Sequence, residues 1–330
     1  MQTSKRVKAG VIGVGHLGQH HVKHFATLPT ADLIGVYDIN HNQAQAIAQR
    51  FNTNAYNNIE ELLAACSAVT IVTPTDQHAA VAEICISAGK HVFIEKPITK
   101  TIAEADLLLK LAKQNNTIIQ VGHIERLNPA LLALKNYPLK PKFIEVQRLA
   151  PYTERGTDVP VVLDLMIHDI DIILSLVNSS VKSIRANGLS IMTKSVDIAN
   201  ARLRFENDSV ANLTSSRIAQ NKVRKLKLFQ RDMYVTIDFL LGLTEVYRAI
   251  DADANDPLAL VTAPLEQNGQ HRKIAYEKPT VKKIDALRLE LANFIDSIQG
   301  KATPIVDGAA GRDALEVAIN IQENIIKNIQ

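Results

Sequence analysis

Apolar residues recur along this chain in two rhythms, and the rhythm changes once. Through the first third, short apolar runs at 7–14, 33–38, 69–73, 91–94 and 118–121 read as strands. Segments with helical spacing fall between and after them, at 18–27, 43–51, 59–65, 78–88 and 102–114. Strands alternating with helices of this length predict a parallel, doubly wound sheet with right-handed crossovers. After Gly122 the pattern differs. Residues 124–136 read as a helix bent near its start by Pro129, 143–148 as a strand, and 159–177 as a long apolar helix. From about 182 to 250 a period of two prevails: Ala199, Ala201, Leu203 and Phe205 alternate with Asn200, Arg202, Arg204 and Glu206. Asn207-Asp208 reads as a hairpin turn into 209–216, and further strands are expected at 225–229 and 234–238. Successive strands without helices between them pair antiparallel. Two amphipathic helices close the pattern, at 283–299 and 307–329. In the second, Ala310, Ala314, Val317, Ile321 and Ile325 share one stripe.

The expected architecture is therefore a Rossmann-type α/β domain over 1–122, followed by an α+β domain over 123–330. The latter is built on a large open, mainly antiparallel sheet and is expected to carry substrate binding and oligomerisation. A length of 330 residues suits two domains. Helices should cover one face of the second sheet. The other face is too large to leave to water and predicts a homodimer or homotetramer.

Hydrophobic residues make up 46% and charged residues 22%, the balance of a globular protein with ample core. A net charge of +3 is too small to point to nucleic acid. The local cluster Lys222, Arg224, Lys225 and Lys227 reads as a solvated strand face. Cys66 and Cys85 lie in apolar segments outside any CxxC or metal-ligand spacing, which suits core residues in a reducing cytoplasm. The N-terminal residues lack a signal-peptide apolar region, and no run approaches membrane-spanning length, so a cytoplasmic protein is expected.

The candidate chemistry begins at Gly13-Val14-Gly15-His16-Leu17-Gly18, between an apolar strand and a helix. Asp38 ends the next apolar run, twenty residues after Gly18. This is a dinucleotide-binding fingerprint in its structural context. Gly13 makes the tight turn, Gly15 admits a pyrophosphate to the backbone, and Gly18 lets the helix pack on the sheet. The helix N-terminus offers free N–H groups and partial positive charge. Asp38 suits ribose hydroxyls and repels a 2′-phosphate, and no Arg follows it in Ile39-Asn40-His41-Asn42, which favours NAD over NADP. In the bland alternative, Asp38 caps the following helix.

Glu95-Lys96-Pro97 follows the run at 91–94 and so sits at the carboxyl end of a parallel strand, where such sheets bind ligands. A lysine there can stabilise negative charge on a substrate oxygen, and Pro97 fixes the turn, with a cis bond as one route. The same three residue types recur at Glu277-Lys278-Pro279, outside the nucleotide fold, and there read as a decoy. Asp164 and His168 are four apart on the long helix and share a face. His168 suits proton abstraction near neutral pH, with Asp164 orienting it or touching substrate. Asp171 continues that face. With no second cluster elsewhere, no metal site is expected. The alternative for all three is capping and ion pairing.

The glycine fingerprint, Thr73-Pro74-Thr75-x-x-His78, Glu95-Lys96-Pro97 and Asp164-x-x-x-His168 together resemble the Gfo/Idh/MocA oxidoreductase family over nearly the whole chain. The resemblance implies a catalytic group of Lys96, Asp164 and His168. It also implies a cofactor lining of Gly13, Gly15, His16, Leu17, Gly18, Asp38, Thr73, Pro74, His78, Glu95 and Lys96. The stretches from Gly122 to Pro129 and from Asp164 to Asp171 resemble the branch that acts on UDP-N-acetylglucosamine at carbon 3, and Val161-Val162 stand where many members carry Gly-Gly. On that resemblance His123, Glu125, Arg126 and Asn128 face the substrate, with Tyr152, Arg155 and Asp158 as a possible substrate loop. For Glu125, Arg126 and Asn128, a capping and ion-pair cluster is the competing account. The function implied is NAD-dependent oxidation of a sugar-nucleotide hydroxyl to a ketone. The alternatives are a same-family dehydrogenase of a cyclitol, free sugar or diol, and a catalytically silent NAD-binding sensor.

Overall fold

The computed structural model describes residues 6–153, 159–254, 256–267 and 270–329. The chain divides into two compact units. One comprises the residues up to Ile124 together with Asp285–Glu316; the other comprises Glu125–Ile284 and the residues from Val317 onward.

The first unit alternates β1 (Val7–Ile12), α1 (Gly18–Thr27), β2 (Ala31–Tyr37), α2 (His41–Phe51), β3 (Asn54–Ala55), α3 (Ile59–Ala65), β4 (Ala68–Ile71), α4 (Thr75–Ser87), β5 (His91–Glu95), α5 (Ile102–Gln114) and β6 (Ile119–Gly122). Its sheet is parallel, in the order β3-β2-β1-β4-β5-β6. Every residue of β4 and β6 is buried, Thr70 and Gln120 included, which explains why these strands read as mostly apolar runs rather than as alternation. β3 escapes sequence reading because it is two residues long and has no periodicity. Polar caps set the helix starts. Asn40 caps α2, Asn58 caps α3, and Thr101 with Glu104 forms a capping box on α5.

In the second unit the expected helix over 124–136 is replaced by a 3-10 turn, Ile124–Leu127, and a single-turn helix, α6 (Pro129–Leu132). Pro129 has no N–H to continue a helix, and Asn128 restarts one by accepting from the Ala130 amide at 3.1 Å. β7 (Phe143–Leu149) follows. The long apolar helix then opens with a π turn, Val162–Met166, before α7 (Ile167–Val177). The strands after it are β8 (Val181–Leu189), β9 (Ile198–Phe205), β10 (Val210–Ser216), β11 (Val223–Gln230), β12 (Met233–Asp238), β13 (Leu243–Asp251), β14 (Val261–Gln267) and β15 (Gln270–Glu277). The last two lie beyond the stretch where sequence periodicity predicts strands.

The sheet order is β14-β15-β13-β12-β11-β7-β10-β9-β8. All neighbours are antiparallel except β7 and β10, which run parallel. Asp208, at φ 62°, turns β9 into β10 as the Asn207-Asp208 pair predicts. One sheet face buries Ile144, Val146, Ala201, Leu203, Leu226, Leu228, Val235 and Ile237. The opposite face carries a lateral ladder of rings: Phe143, Phe229, Tyr234, Tyr247 and Tyr276, with successive centroids 5.8, 4.8, 5.6 and 5.0 Å apart.

Two helices complete the chain. α8 (Ala286–Ile298) belongs to the first unit, where Leu291, Phe294 and Ile295 join the core of Val11, Phe25 and Phe93. The Phe93 and Phe294 rings meet edge to face at 5.9 Å. α9 (Gly308–Ile329) passes from one unit to the other at Glu316. The single cut expected at 122 therefore differs from the observed division, which returns residues 285–316 to the nucleotide fold. An amphipathic stripe shows that a helix buries a face but not which core receives it.

Candidate active site

The glycine turn lies at the carboxyl end of β1. Gly13 has φ +85°, and a Cβ there would stand 2.6 Å from the Val72 carbonyl oxygen. A Cβ on Gly18 would stand 2.0 Å from the Gly13 oxygen, so α1 can start this close to the turn only without a side chain. Around Gly15 a Cβ would meet nothing within 4 Å. No side chain caps α1, and its first turn holds no acid. An open approach above Gly15 beside an uncapped helix N-terminus fits a pyrophosphate. His16 and Leu17, between them, are exposed.

Asp38, at the end of β2, accepts from the Val14 amide at 2.8 Å and from the Asn40 amide at 2.8 Å. It locks the second βα turn to the first. The cap of α2 is Asn40, not Asp38, so the bland account of this carboxylate fails. Gln43 reinforces the same point by donating to the Val14 carbonyl at 2.8 Å.

At the ends of β4 and β5 the sequence signals meet. The buried His78 ring lies between two carbonyls, with Nδ1 2.9 Å from Pro97 O and Nε2 2.9 Å from Thr73 O. It ties the Thr73-Pro74 turn to the Glu95-Lys96-Pro97 turn, in which Lys96–Pro97 is a cis peptide. Thr73 and Lys96 are half-buried and Pro74 is exposed. Glu95 Oε1 lies 3.1 Å from Nε2 of His21, a fully buried residue of α1, and Glu95 Oε2 accepts from the Lys96 amide at 3.3 Å. The sequence reading overlooked His21. Its signal is a polar residue three positions after Gly18, on the helix face that packs on the sheet.

In the second unit Asp164 lies within the π turn, its amide 3.0 Å from Pro160 O, and His168 lies in the first turn of α7. Both are half-buried. Turns of this kind often mark functional positions in helices. Two carboxylates beside His168 are buried and paired. Asp169 receives Nε and Nη2 of Arg148 at 2.8 and 2.7 Å, and Asp171 receives Nε and Nη2 of Arg126 at 2.7 and 2.8 Å.

Arg148 Nη1 also donates to Glu125 at 2.9 Å, and Glu125 in turn accepts from Arg224 and Asn128. Burial pushes the Glu125 carboxyl up, but Arg148, Arg224 and Asn128 outweigh it and hold the group below its ordinary value. Thus Glu125, Arg126 and Asn128 occupy the capping and ion-pair cluster that competes with a substrate role, and His123 is buried next to it in sequence. Arg148 was legible in retrospect: Ile144, Val146 and Arg148 alternate inward on β7, which places a charge at a core position.

Tyr152 is exposed; Arg155 and Asp158 lie outside the described residues. Glu277 of the second Glu-Lys-Pro is buried against Tyr137 and Arg248, a structural role. Lys225 and Lys227 pair with Asp238 and Glu145, while Arg224 turns inward to Glu125. Among the described residues no group of His, Cys, Asp or Glu could hold a metal ion, and no helix is long and apolar enough to cross a membrane.

The Gfo/Idh/MocA model, described as an oxidoreductase family with an NAD-binding Rossmann fold, matches residues 7–123, and the family's C-terminal domain model matches 142–233. The chain is 35% identical over 317 residues to the UDP-N-acetylglucosamine 3-dehydrogenase of Acidithiobacillus ferrooxidans, spanning 96% of each protein. A solved structure of that enzyme superposes with a TM-score of 0.88 at 34% identity, covering 98% of this chain and 99% of the other. The scyllo-inositol 2-dehydrogenase (NAD(+)) of Bacillus subtilis is 27% identical over 233 residues, 64% of this chain and 68% of that protein. The fold is also that of a scyllo-inositol dehydrogenase from Lactobacillus casei solved with NAD(H) and scyllo-inositol, with TM-score 0.77, 21% identity and 98% coverage of both chains. With family models matching part of each unit and a relative above 30% identity across 96% of both chains, this chain belongs to the Gfo/Idh/MocA family of oxidoreductases.

Proposed function

We propose that this protein is an NAD-dependent dehydrogenase that oxidises the carbon 3 hydroxyl of UDP-N-acetylglucosamine, or of a close sugar nucleotide, to the ketone. The observation that carries this reading is the 35% identity to an enzyme of that name across 96% of both chains, with Lys96, Asp164 and His168 all present.

NAD, held at the glycine turn, supplies the acceptor for the hydride that leaves carbon 3. Gly13, Gly15, His16, Leu17 and Gly18 form the pyrophosphate cradle, and Asp38 faces the ribose. Thr73, Pro74, His78 and Glu95 line the remainder. Asp38 favours NAD over NADP because its carboxylate is fixed by two backbone amides and stands where a 2′-phosphate would bring like charge. His168 takes the hydroxyl proton, Asp164 holds its geometry, and Lys96 stabilises the negative charge that grows on the oxygen. Substrate binding falls to the second unit. Its ring-lined sheet face receives a second copy of the chain, giving a homo-oligomer. The two free, buried thiols suit a reducing cytoplasm.

The test is NADH formation by absorbance with NAD and a panel of UDP-sugars, beside inositol and free glucose. Turnover of UDP-N-acetylglucosamine alone is expected. Turnover of free polyols would keep the family and overturn the substrate. NAD binding without turnover on any member would return the protein to the sensor class.

A further inference from the structure

Three buried acid–arginine contacts surround the segment that carries His168. Asp169 is 1% exposed, and Arg148, 2% exposed, grips both its oxygens. Asp171 is 1% exposed and is gripped in the same bidentate way by Arg126. Glu125 joins the two arginine-bearing elements: it neighbours Arg126 on the 3-10 turn and accepts from Arg148 on β7. Planar forks on carboxylates fix direction as well as distance.

The placement of the two acids around α7 gives these forks a consequence. At 3.6 residues per turn, Asp169 points about 100° round the axis from His168 on one side, and Asp171 about 60° on the other. The imidazole therefore lies within the arc bounded by the two anchored carboxylates. Neither fork can hold while the helix rotates, so together they set the azimuth of His168. A π turn immediately upstream makes this control useful. Its i to i+5 bonding, with the Ile167 amide on the Val162 carbonyl, leaves the register of the preceding residues with an alternative in ordinary α-helical bonding.

We propose that Arg126 and Arg148 are positioning residues of the reaction: through Asp171 and Asp169 they fix the rotation of α7 and thereby the place of the His168 imidazole. This rests on the reading of His168 as proton acceptor. It also gives Arg126 and Glu125 a role that needs no contact with substrate.

The experiment is steady-state kinetics on the full chain carrying Arg126→Gln, Arg126→Lys, or the pair Arg126→Gln with Asp171→Asn, beside wild type. Positioning predicts that Arg126→Gln loses kcat by about 10²-fold, the scale on which small misplacements act, while both KM values stay near wild type. Arg126→Lys, which keeps the charge but not the fork, recovers part of the loss. The amide pair, which leaves no buried charge unpartnered, remains folded and remains slow. Hydrogen exchange along 167–173 should quicken in the slow variants, with the sheet of the first unit unchanged.

A lowered melting temperature with wild-type kcat would reduce the clamps to structural ion pairs. A raised KM for the sugar nucleotide at full kcat would make Arg126 a substrate contact. Either result overturns the proposal. An inactive wild type would count against the proposed function instead, since the clamps are judged only by differences from an active parent.

Discussion

The Asp38 carboxylate accepts a hydrogen bond from the Val14 amide at 2.8 Å, across the turn that the dinucleotide must meet. One side chain thus fixes the glycine turn and, in the proposed function, also presents the charge that selects the ribose. Asp38→Ala is expected to weaken NAD binding by about 10- to 100-fold, the equivalent of hydrogen bonds to a charged group. It should also narrow the preference over NADP by removing the repulsion. Fluorescence titration with NADH and NADPH measures both. Unchanged selectivity would leave Asp38 with the turn alone.

Gly15 and Gly18 should respond differently to the same methyl group. Gly15→Ala places its Cβ in open space, so the melting temperature holds while NAD affinity falls. Gly18→Ala drives its Cβ into the Gly13 carbonyl, so stability falls as well, by several kcal/mol. Calorimetric melting with and without NAD separates the two.

Lys96 follows β5 in the turn that His78 ties to Thr73, which fixes the backbone from which its side chain extends. Lys96→Met is expected to abolish turnover, a loss of at least about 10²-fold for one donor to a developing oxyanion. NAD binding should stay nearly intact. Loss of NAD binding in this variant would assign the lysine to the cofactor instead.

The first unit was legible almost element by element because both faces of its sheet are buried, so strands and helices announce themselves as apolar runs between caps. The placement of its glycine turn, Asp38, Glu95 and Lys96 was legible too, because each lies at or just beyond the carboxyl end of a strand that the apolar runs mark. The second unit was less so. Pro129 was visible, but the competition it wins against helix 124–136 depends on Asn128 as a cap. The π turn leaves no periodic trace, since one extra residue per turn cannot be told from a drift in an apolar segment. Arg148 and Asp169 escaped because each looks like an ordinary surface charge until strand register and helix phase bring them together.

Asp197 accepts from the amides of Ile191, Met192 and Thr193 and from the Thr193 hydroxyl. Burial pushes its carboxyl up, but these donors outweigh it and bring it from 3.8 to about 2. Because the folded value is the lower one, this stabilisation is complete above the ordinary value and is lost as pH falls through the folded one. Asp197→Ala should cost on the order of 2 kcal/mol at neutral pH and less than that near pH 2. Urea unfolding across that range reads the convergence; a pH-independent difference would refute it.

The ring ladder from Phe143 to Tyr276 predicts the behaviour of the open sheet face. Tyr234→Glu is expected to shift the protein to monomer in light scattering, with the far-ultraviolet circular dichroism unchanged. A mass unaltered by the substitution would count against this face as a contact between copies.

The return of residues 285–316 to the nucleotide fold has a consequence for synthesis. Leu287, Leu291, Phe294 and Ile295 complete a core whose other buried members, from Val7 to Phe93, leave the ribosome first. Residues 125–284 must be translated in between, which takes on the order of ten seconds at about 5–20 residues per second. During that interval the nascent first unit carries an unfilled apolar wall around Phe93. A stall or truncation before α8 is therefore expected to release an aggregation-prone fragment rather than a free nucleotide-binding domain.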